Sequence, residues 1–396
     1  FVSYYQRGGS AHSYERLALI RLRYVAGDPV LGERVERLRD ELIYQSDSID
    51  LKEIREMRQK QLVHKSDDER FNAKFSPGAL VDLEYNVQIL QVEYAGDYPQ
   101  LRTPRLHEAL NGLRKAGALQ NEEVQMLIDA YRFFRHLING LRMLRGNALD
   151  LFLPDKGAVE FAHLARRMGY ASGAISAADA LYVDIQQYSA EVRSIIEKHL
   201  GRGAIPGSFT GNVLDVLLRK EGAAAEAQEF FARHGFREPQ KAWAGMKYLH
   251  EVCEPCFRRI VVLAFEVLKD QPDHDLALLH WTQLVERVDA RAHYRTLAKQ
   301  PKRMEILFGL FGVSRFLSDI LLQHPEFFDW VTEPATVANV RALDDLLQDV
   351  RGMIAQGNEH GISPRNVLRV FRKREMVRIG TRDLQIAVPL KYTLEE

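Results

Sequence analysis

Cysteine is nearly absent: two in 396 residues leave no material for a disulfide framework and suit a reducing compartment. Long apolar runs are missing as well. The longest, Ile260 to Phe265, falls far short of the ~20 residues that a membrane-spanning helix needs, so no transmembrane segment is expected. Charge of one sign is also missing, because 54 Lys and Arg balance 54 Asp and Glu. A chain with no net field has no general attraction for nucleic acid or an anionic membrane, so neither is an expected partner and any basic patch must be local. There is no P-loop, no G-x-G-x-x-G fingerprint, no Ser nucleophile elbow and no H-E-x-x-H pair. At Phe1 there is no Met, no basic n-region and no apolar h-region, and Leu394-Glu395-Glu396 follow no stop or cap signal. The sequence reads as a piece of a longer protein without a signal peptide, and a cytoplasmic location is expected.

What is present is a soluble, globular composition, 46% hydrophobic and 27% charged, long enough for two or three domains at ~100–200 residues each. Helical periodicity dominates. Val124, Leu127, Ile128, Tyr131, Phe134, Ile138 and Leu141 recur at spacings of three and four, as do Phe257, Ile260, Val261, Ala264, Phe265 and Leu268, and then Ile306, Leu310, Val313, Leu317 and Ile320. The expected class is mainly α, built of helical bundles. One segment departs from it: Ala18 to Val25 alternates Leu19, Arg21 and Arg23 with Ile20, Leu22 and Tyr24, then stops at Gly27-Asp28-Pro29, which predicts a short strand. Lacking a partner nearby, that strand would belong to a sheet lying before Phe1.

Gly201 to Gly211 packs four glycines and Pro206 into eleven residues and predicts a domain boundary. A further break is expected around Val331 to Val337, and Ser363-Pro364 predicts the start of a last helix carrying Val367, Leu368, Phe371 and Met376.

Few residues offer chemistry. Asp82 and Glu84, two apart, would share a face on a strand but diverge by about 200° on a helix. Ser76-Pro77 predicts a helix start, continued by Leu80, Leu83, Val87 and Leu90, so a two-metal carboxylate pair is not expected. Glu84, Gln88 and Gln91 form a polar stripe at helical spacing, open to a ligand or to solvent. Cys253-Glu254-Pro255-Cys256 supplies half a zinc site without a second pair, and its helical surroundings do not match a thioredoxin-like motif. His274-Asp275 lacks the further ligands of a metal site. Arg365, Arg369 and Arg372 share one helical face and Arg374, Arg378 and Arg382 another; either would grip phosphates or meet solvent.

Particular stretches add a resemblance. Tyr4-Tyr5-Gln6-Arg7-Gly8-Gly9, Tyr14-Glu15-Arg16-Leu17-Ala18-Leu19-Ile20-Arg21 and Val25-Ala26-Gly27-Asp28-Pro29-Val30-Leu31-Gly32 resemble the close of the nucleotidyltransferase domain in the glutamine synthetase adenylyltransferase/deadenylylase (glutamate-ammonia-ligase adenylyltransferase) family. Lys74 to Gln91 resembles that family's signature at the start of its helical domain, and Ala130-Tyr131-Arg132-Phe133-Phe134-Arg135 continues it. Gly309-Leu310-Phe311-Gly312-Val313-Ser314 and His324-Pro325-Glu326-Phe327-Phe328-Asp329 resemble its central linker. Phe371 to Ile379 and Thr381-Arg382-Asp383-Leu384 resemble the run-in to a second nucleotidyltransferase domain.

The resemblance implies a division into a nucleotidyltransferase tail (1–33), a helical bundle (34–200), a helical linker (201–335) and a run-in (336–396). It implies a bifunctional parent that attaches AMP from ATP to a tyrosine of glutamine synthetase and removes it by phosphorolysis, using ATP and Mg2+ held by aspartates that this chain does not contain. No catalytic residue and no metal ligand is therefore assigned to this chain. Glu15, Arg16, Arg21 and Asp28, with Asp82, Glu84 and Gln88, would border the first nucleotide cleft, and Arg378 and Arg382 would approach the phosphate side of the second. Glutamine synthetase is the implied partner, together with a PII-type signal protein. The family usually has Trp at Tyr14, Lys at Arg21, Gly at Ala79 and Arg at Val81, and prefers an acid, a base and a glutamine at Ile138, Gly140 and Arg142. Those departures keep a second reading open, a non-catalytic helical module that docks a partner protein.

Overall fold

The computed structural model describes residues 1–6, 8–44, 49–65, 70–147, 149–173, 175–201, 212–218 and 224–386. They divide into two compact units, Phe1–Arg219 and Lys220–Glu396. In the first, the helices are α1 (Val2–Tyr5), α2 (Ser13–Ala18), α3 (Pro29–Ile43), α4 (Leu51–Lys65), α5 (Leu80–Tyr94), α6 (Leu106–Lys115), α7 (Asn121–Arg145), α8 (Val159–Arg167), α9 (Ala177–Leu200) and α10 (Val213–Leu218). In the second they are α11 (Ala224–Arg233), α12 (Pro239–Val252), α13 (Glu254–Phe257), α14 (Val261–Lys269), α15 (His274–Val285), α16 (Ala290–Lys299), α17 (Lys302–Phe311), α18 (Arg315–Gln323), α19 (Phe328–Val331), α20 (Pro334–Ala338), α21 (Leu343–Glu359) and α22 (Pro364–Ile386). The glycine-rich boundary expected at Gly201 to Gly211 lies, beyond Gly201 itself, outside the described residues.

The expected N-terminal strand is not there, and among the described residues there is no β-strand at all, only an isolated bridge between Asn72 and Phe152. Ser13–Ala18 is helical, opened by a reciprocal capping box between His12 and Glu15, and Leu19–Arg21 tightens into a 3-10 turn. The alternation at Ala18 to Val25 misled because the burial does not alternate: the adjacent Leu19 and Ile20 are both buried, as a tight helical turn allows and a half-exposed strand does not. Only Leu22 onward is extended, and helix α3 satisfies its backbone where a neighbouring strand would have done so. Arg39 Nη1 donates to the Leu22 carbonyl at 2.6 Å, and the Tyr24 N–H donates to Glu36 Oε1 at 2.7 Å.

In the first unit α5 is the central helix, packed against α6, α7 and α9. Its neighbour α7 shows why these sequences form helices: Gln120 and Glu123 make a capping box, Arg142 and Arg145 stand in the last turn, and Gly146 closes it at φ 67°. The core of the second unit is aromatic. Phe257, Trp281, Tyr294 and Phe308 are fully buried, and the Trp281 and Phe308 rings meet edge-on with centroids 4.9 Å apart. The last helix starts at Pro364, where Ser363-Pro364 predicts it, and packs against α17, α18 and α21. It buries Val367 and Val377 but leaves Leu368 half exposed.

His293 lies inside that aromatic core, its Nε2 accepting from the Trp281 indole N–H at 3.0 Å, and burial pushes its pKa down to about 3. Between that value and the ~6.5 of an unfolded histidine, the unfolded chain binds the extra proton, so stability is full above about pH 6.5 and declines as pH falls toward 3. Lowering pH from 6.5 to 5 is expected to remove up to about 2 kcal/mol through this residue. His293→Gln, which keeps an acceptor for Trp281, should flatten the slope; urea unfolding at the two pH values, with equal slopes in parent and variant, would reject the assignment.

Candidate functional site

Ten of the fifteen residues of α5 are buried, among them Asp82, Glu84, Asn86, Gln88 and Gln91. A buried polar group must find a partner or cost about 1–3 kcal/mol, so the partners of this helix organise the region. Asp82 faces α4: Arg58 Nε donates to Oδ1 at 2.6 Å and Arg58 Nη2 to Oδ2 at 3.0 Å, with both side chains almost fully buried. Arg58 Nη2 also donates to the Phe75 carbonyl at 2.7 Å, and the Gly78 N–H donates to Asp82 Oδ2 at 2.8 Å. Asn86 Nδ2 donates to the Asp82 carbonyl, and Gln91 Nε2 bridges the Leu101 and Thr103 carbonyls, each at 2.9 Å.

The helix begins at Leu80 rather than at the expected Ser76-Pro77, because Gly78 turns the chain at φ 77° and a Cβ there would lie 2.1 Å from the Ser189 carbonyl of α9. Ala79, next in line, has φ −81° and an extended ψ, a conformation open to any residue, so alanine is accommodated where the family usually has glycine. Val81 is buried, its N–H donating to the Lys74 carbonyl at 3.0 Å.

On another side of α5 stands Glu84. Arg21 Nη2 reaches its Oε2 at 2.6 Å, joining the N-terminal segment to the central helix. Burial lowers the Lys74 ammonium pKa; Glu84 opposes the shift, while Lys65, Arg21 and Arg142 reinforce it. Lys74 thus feels three other cations and one carboxylate, a local surplus of positive charge around it in a chain whose net charge is zero. One turn along, Gln88 is buried, and among the described residues its amide makes no hydrogen bond. Charged and amide groups on this side of α5 suit an anionic or hydrogen-bonding partner. Among the described residues no three His, Cys, Asp or Glu side chains converge as a metal site would require.

The other sequence candidates stand elsewhere. Glu15 accepts from the His12 N–H at 2.9 Å and from the Tyr4 hydroxyl at 3.1 Å, and Arg16 Nη2 donates to the Gln6 carbonyl at 3.2 Å, so this pair organises the N-terminal segment. Asp28 caps α3 by accepting the Val30 and Leu31 N–H groups. In the second unit Arg378 is fully buried, with Nε donating to Glu375 Oε2 at 2.8 Å and Nη1 to the Asn339 carbonyl at 3.3 Å. Arg382, one turn on, is half-buried. His274 and Asp275 meet the backbone at the start of α12 through Gly235, Arg237 and Glu238.

Two residues escaped sequence reasoning. Arg58 carried a signal, since it interrupts the apolar spacing Ile54, Arg58, Leu62 on a helix whose buried face is those three residues. Lys74 gave none, because its environment is assembled from residues far apart in the chain.

Residues 51–200 match the family model described as "GlnD PII-uridylyltransferase", and residues 304–396 match "Glutamate-ammonia ligase adenylyltransferase". The chain belongs to the glutamine synthetase adenylyltransferase/adenylyl-removing enzyme family. It is similar to the bifunctional glutamine synthetase adenylyltransferase/adenylyl-removing enzyme of Mycobacterium tuberculosis (strain ATCC 25618 / H37Rv), 26% identical over 97% of this chain and 39% of the relative. The enzyme of the same description from Streptomyces coelicolor is 33% identical over 44% of this chain and 18% of the relative, and that of Stenotrophomonas maltophilia (strain K279a) 28% identical over 89% and 37%. The chain therefore spans at most about two fifths of these family members.

Gly78→Ala tests the turn that sets α5 in place. A left-handed backbone costs alanine about 1–2 kcal/mol and the clash with Ser189 adds about 1–3, so a loss of about 3 kcal/mol is expected in urea unfolding. A loss below ~1 kcal/mol would mean the turn is free to rearrange.

Proposed function

We propose that this chain is the central helical portion of a bifunctional nucleotidyltransferase that adenylylates and deadenylylates glutamine synthetase in nitrogen regulation. Two features support the reading: similarity to a family member runs along 97% of the chain, and Arg21 and Glu84 meet at 2.6 Å. The contact carries most weight, because it ties the segment resembling the end of a nucleotidyltransferase domain to the helix resembling the start of the helical domain. On this reading Arg21, Glu84 and Gln88 border the nucleotide cleft directly, with Lys74 and Arg142 beside them. Glu15, Arg16, Asp28 and Asp82 hold that border in place. The cations would meet the phosphates of ATP, while Mg2+ and the reacting groups would be held by the flanking nucleotidyltransferase domain. The described residues supply no metal ligand set of their own.

On the same reading the divisions 1–33, 34–200, 201–335 and 336–396 separate the tail, bundle, linker and run-in. The helix α22, anchored by Arg378, carries Arg382 toward the second nucleotidyltransferase domain. Glutamine synthetase is the proposed protein substrate, a PII-type protein the proposed regulator, and the cytoplasm the proposed location.

A second reading, a docking module without catalysis, is favoured by one observation: a cleft of about 530 Å³ between α12 and α15, lined by Lys241, Leu278, Leu279 and Arg315. Leu279 is half exposed there.

The chain alone is expected to give no ATP-dependent labelling of glutamine synthetase. In a protein carrying both flanking nucleotidyltransferase domains, Arg21→Gln should lower AMP transfer in the first half by about 10-fold, the scale of one lost charge-assisted contact of about 1.4 kcal/mol. Arg105→Gln, which removes an exposed pair with Glu108, should leave it unchanged. Full activity of a folded Arg21→Gln protein would remove Arg21 and Glu84 from the nucleotide cleft.

A further inference from the structure

Cys253 and Cys256 take no part in the proposed nucleotide cleft, yet the fold gives them a defined arrangement. Both are free and half-buried, flanked by exposed Val252, Glu254 and Pro255, so small molecules in solvent can reach them. Cys253 is the residue preceding the short helix α13, with extended-type φ −154° and ψ 74°, and Cys256 is its third residue. The Cys256 N–H donates to the Cys253 carbonyl at 3.1 Å, closing one turn that stacks the two side chains. Residues three apart on such a turn have Cβ atoms roughly 5–6 Å apart, within a small rotation of the spacing a disulfide needs. Pro255 sits between them and stiffens the turn.

The surroundings divide the labour between the two sulfurs. Burial alone would raise the Cys253 thiol. The adjacent thiol and N–H of Cys256 and the guanidinium of Arg291 on α16 outweigh that and hold it below the ordinary cysteine range. Cys256 is pushed the other way, first by the Cys253 sulfur and then by burial, with Arg291 and Arg295 opposing. Tyr294, its hydroxyl donating to the Leu249 carbonyl, also faces the pair.

We propose that Cys253-Glu254-Pro255-Cys256 is a vicinal-dithiol site that undergoes thiol–disulfide exchange with low-molecular-weight disulfides, Cys253 attacking and Cys256 resolving. The Cys253 thiolate attacks one sulfur of the small disulfide; the S–S bond breaks, one small thiolate leaves, and a mixed disulfide forms on Cys253. Cys256 then gives up its proton to solvent and attacks the Cys253 sulfur, expelling the second small thiolate and closing the internal disulfide. The two protein thiols are oxidised and the small disulfide is reduced to two thiols, so no further oxidant is needed. A βαβ unit is not required, because the reactive geometry resides in one helical turn and an arginine from the neighbouring helix.

The probe is oxidised glutathione, applied to the full chain at pH 7.5, quenched with acid and read by intact-mass spectrometry. The parent should lose two hydrogens and retain no glutathione, and reduced glutathione in excess should reverse the change. Cys256→Ser should stop with one glutathione, mapped by peptide analysis to Cys253. Arg291→Gln should slow the first step by about 3-fold, as expected when thiolate fraction falls but nucleophilicity rises. A parent chain that stays reduced, or that accumulates stable glutathione adducts in place of an internal disulfide, would overturn the proposal. So would Cys253→Ser reacting as fast as Cys256→Ser. The parent measurement stands whether or not the variants fold.

Discussion

The buried pair between Arg58 and Asp82 is the interaction on which the first unit turns. Removing two charges from water costs several kcal/mol each, and Coulomb attraction repays that only when geometry is good and the remaining hydrogen-bonding capacity is used. Here Arg58 meets both carboxylate oxygens, its Nη2 also serves the Phe75 carbonyl, and Asp82 takes the Gly78 N–H, which leaves only Arg58 Nη1 of the guanidinium nitrogens buried without a partner among the described residues. Helix α4, the turn at Gly78 and helix α5 are thereby locked at one point. Gly78 in turn presses against Ser189, which extends the lock to α9.

Register follows from that lock. With Asp82 committed to Arg58, Glu84 two residues on must face another direction, where Arg21 meets it. Gln88, a turn later than Glu84, inherits the same side, and Gln91 falls where the Leu101 and Thr103 carbonyls need a donor. One polar stripe thus divides into Gln91, which supports the fold, and Glu84 and Gln88, which share the side that Arg21 meets. The two carboxylates, which diverge on the helix as their spacing predicts, work as two separate anchors: Asp82 toward α4 and Glu84 toward the N-terminal segment.

Helices were the most legible feature, because the three-and-four spacing of α7 reports a buried face directly; the runs from Phe257 to Leu268 and from Ile306 to Ile320 are helical too, but each is broken into two helices, and Val313 at the second break is half exposed. The start of α22 was legible too, since Ser363-Pro364 is a local signal. The segment from Ala18 to Val25 was misread for a physical reason: a short helix passing into an extended stretch shows alternation over a few residues, and backbone partners supplied by Arg39 and Glu36 leave no trace nearby in sequence. The surroundings of Glu84 were legible only in part. Arg21, Glu84 and Gln88 stood out through the resemblance, whereas Lys74 acquires its character from burial and from cations contributed by α4 and α7. Arg378 illustrates the converse: it shares a helical stripe with Arg374 and Arg382 and yet is wholly enclosed. Charge spacing tells which residues share a face, and only packing tells whether that face meets solvent.

The central claim, that Arg58 and Asp82 act as one buried unit setting the position of α5, is tested most directly by a double-mutant cycle. Arg58→Met, Asp82→Leu and the double variant would be compared with the parent by urea unfolding. Breaking a buried pair from one side costs about 3–5 kcal/mol by leaving a charge uncompensated, whereas replacing both partners with apolar groups relieves that cost. The double variant is therefore expected to be at least about 2 kcal/mol more stable than the sum of the single losses implies. Additive losses, within about 0.5 kcal/mol, would contradict the account.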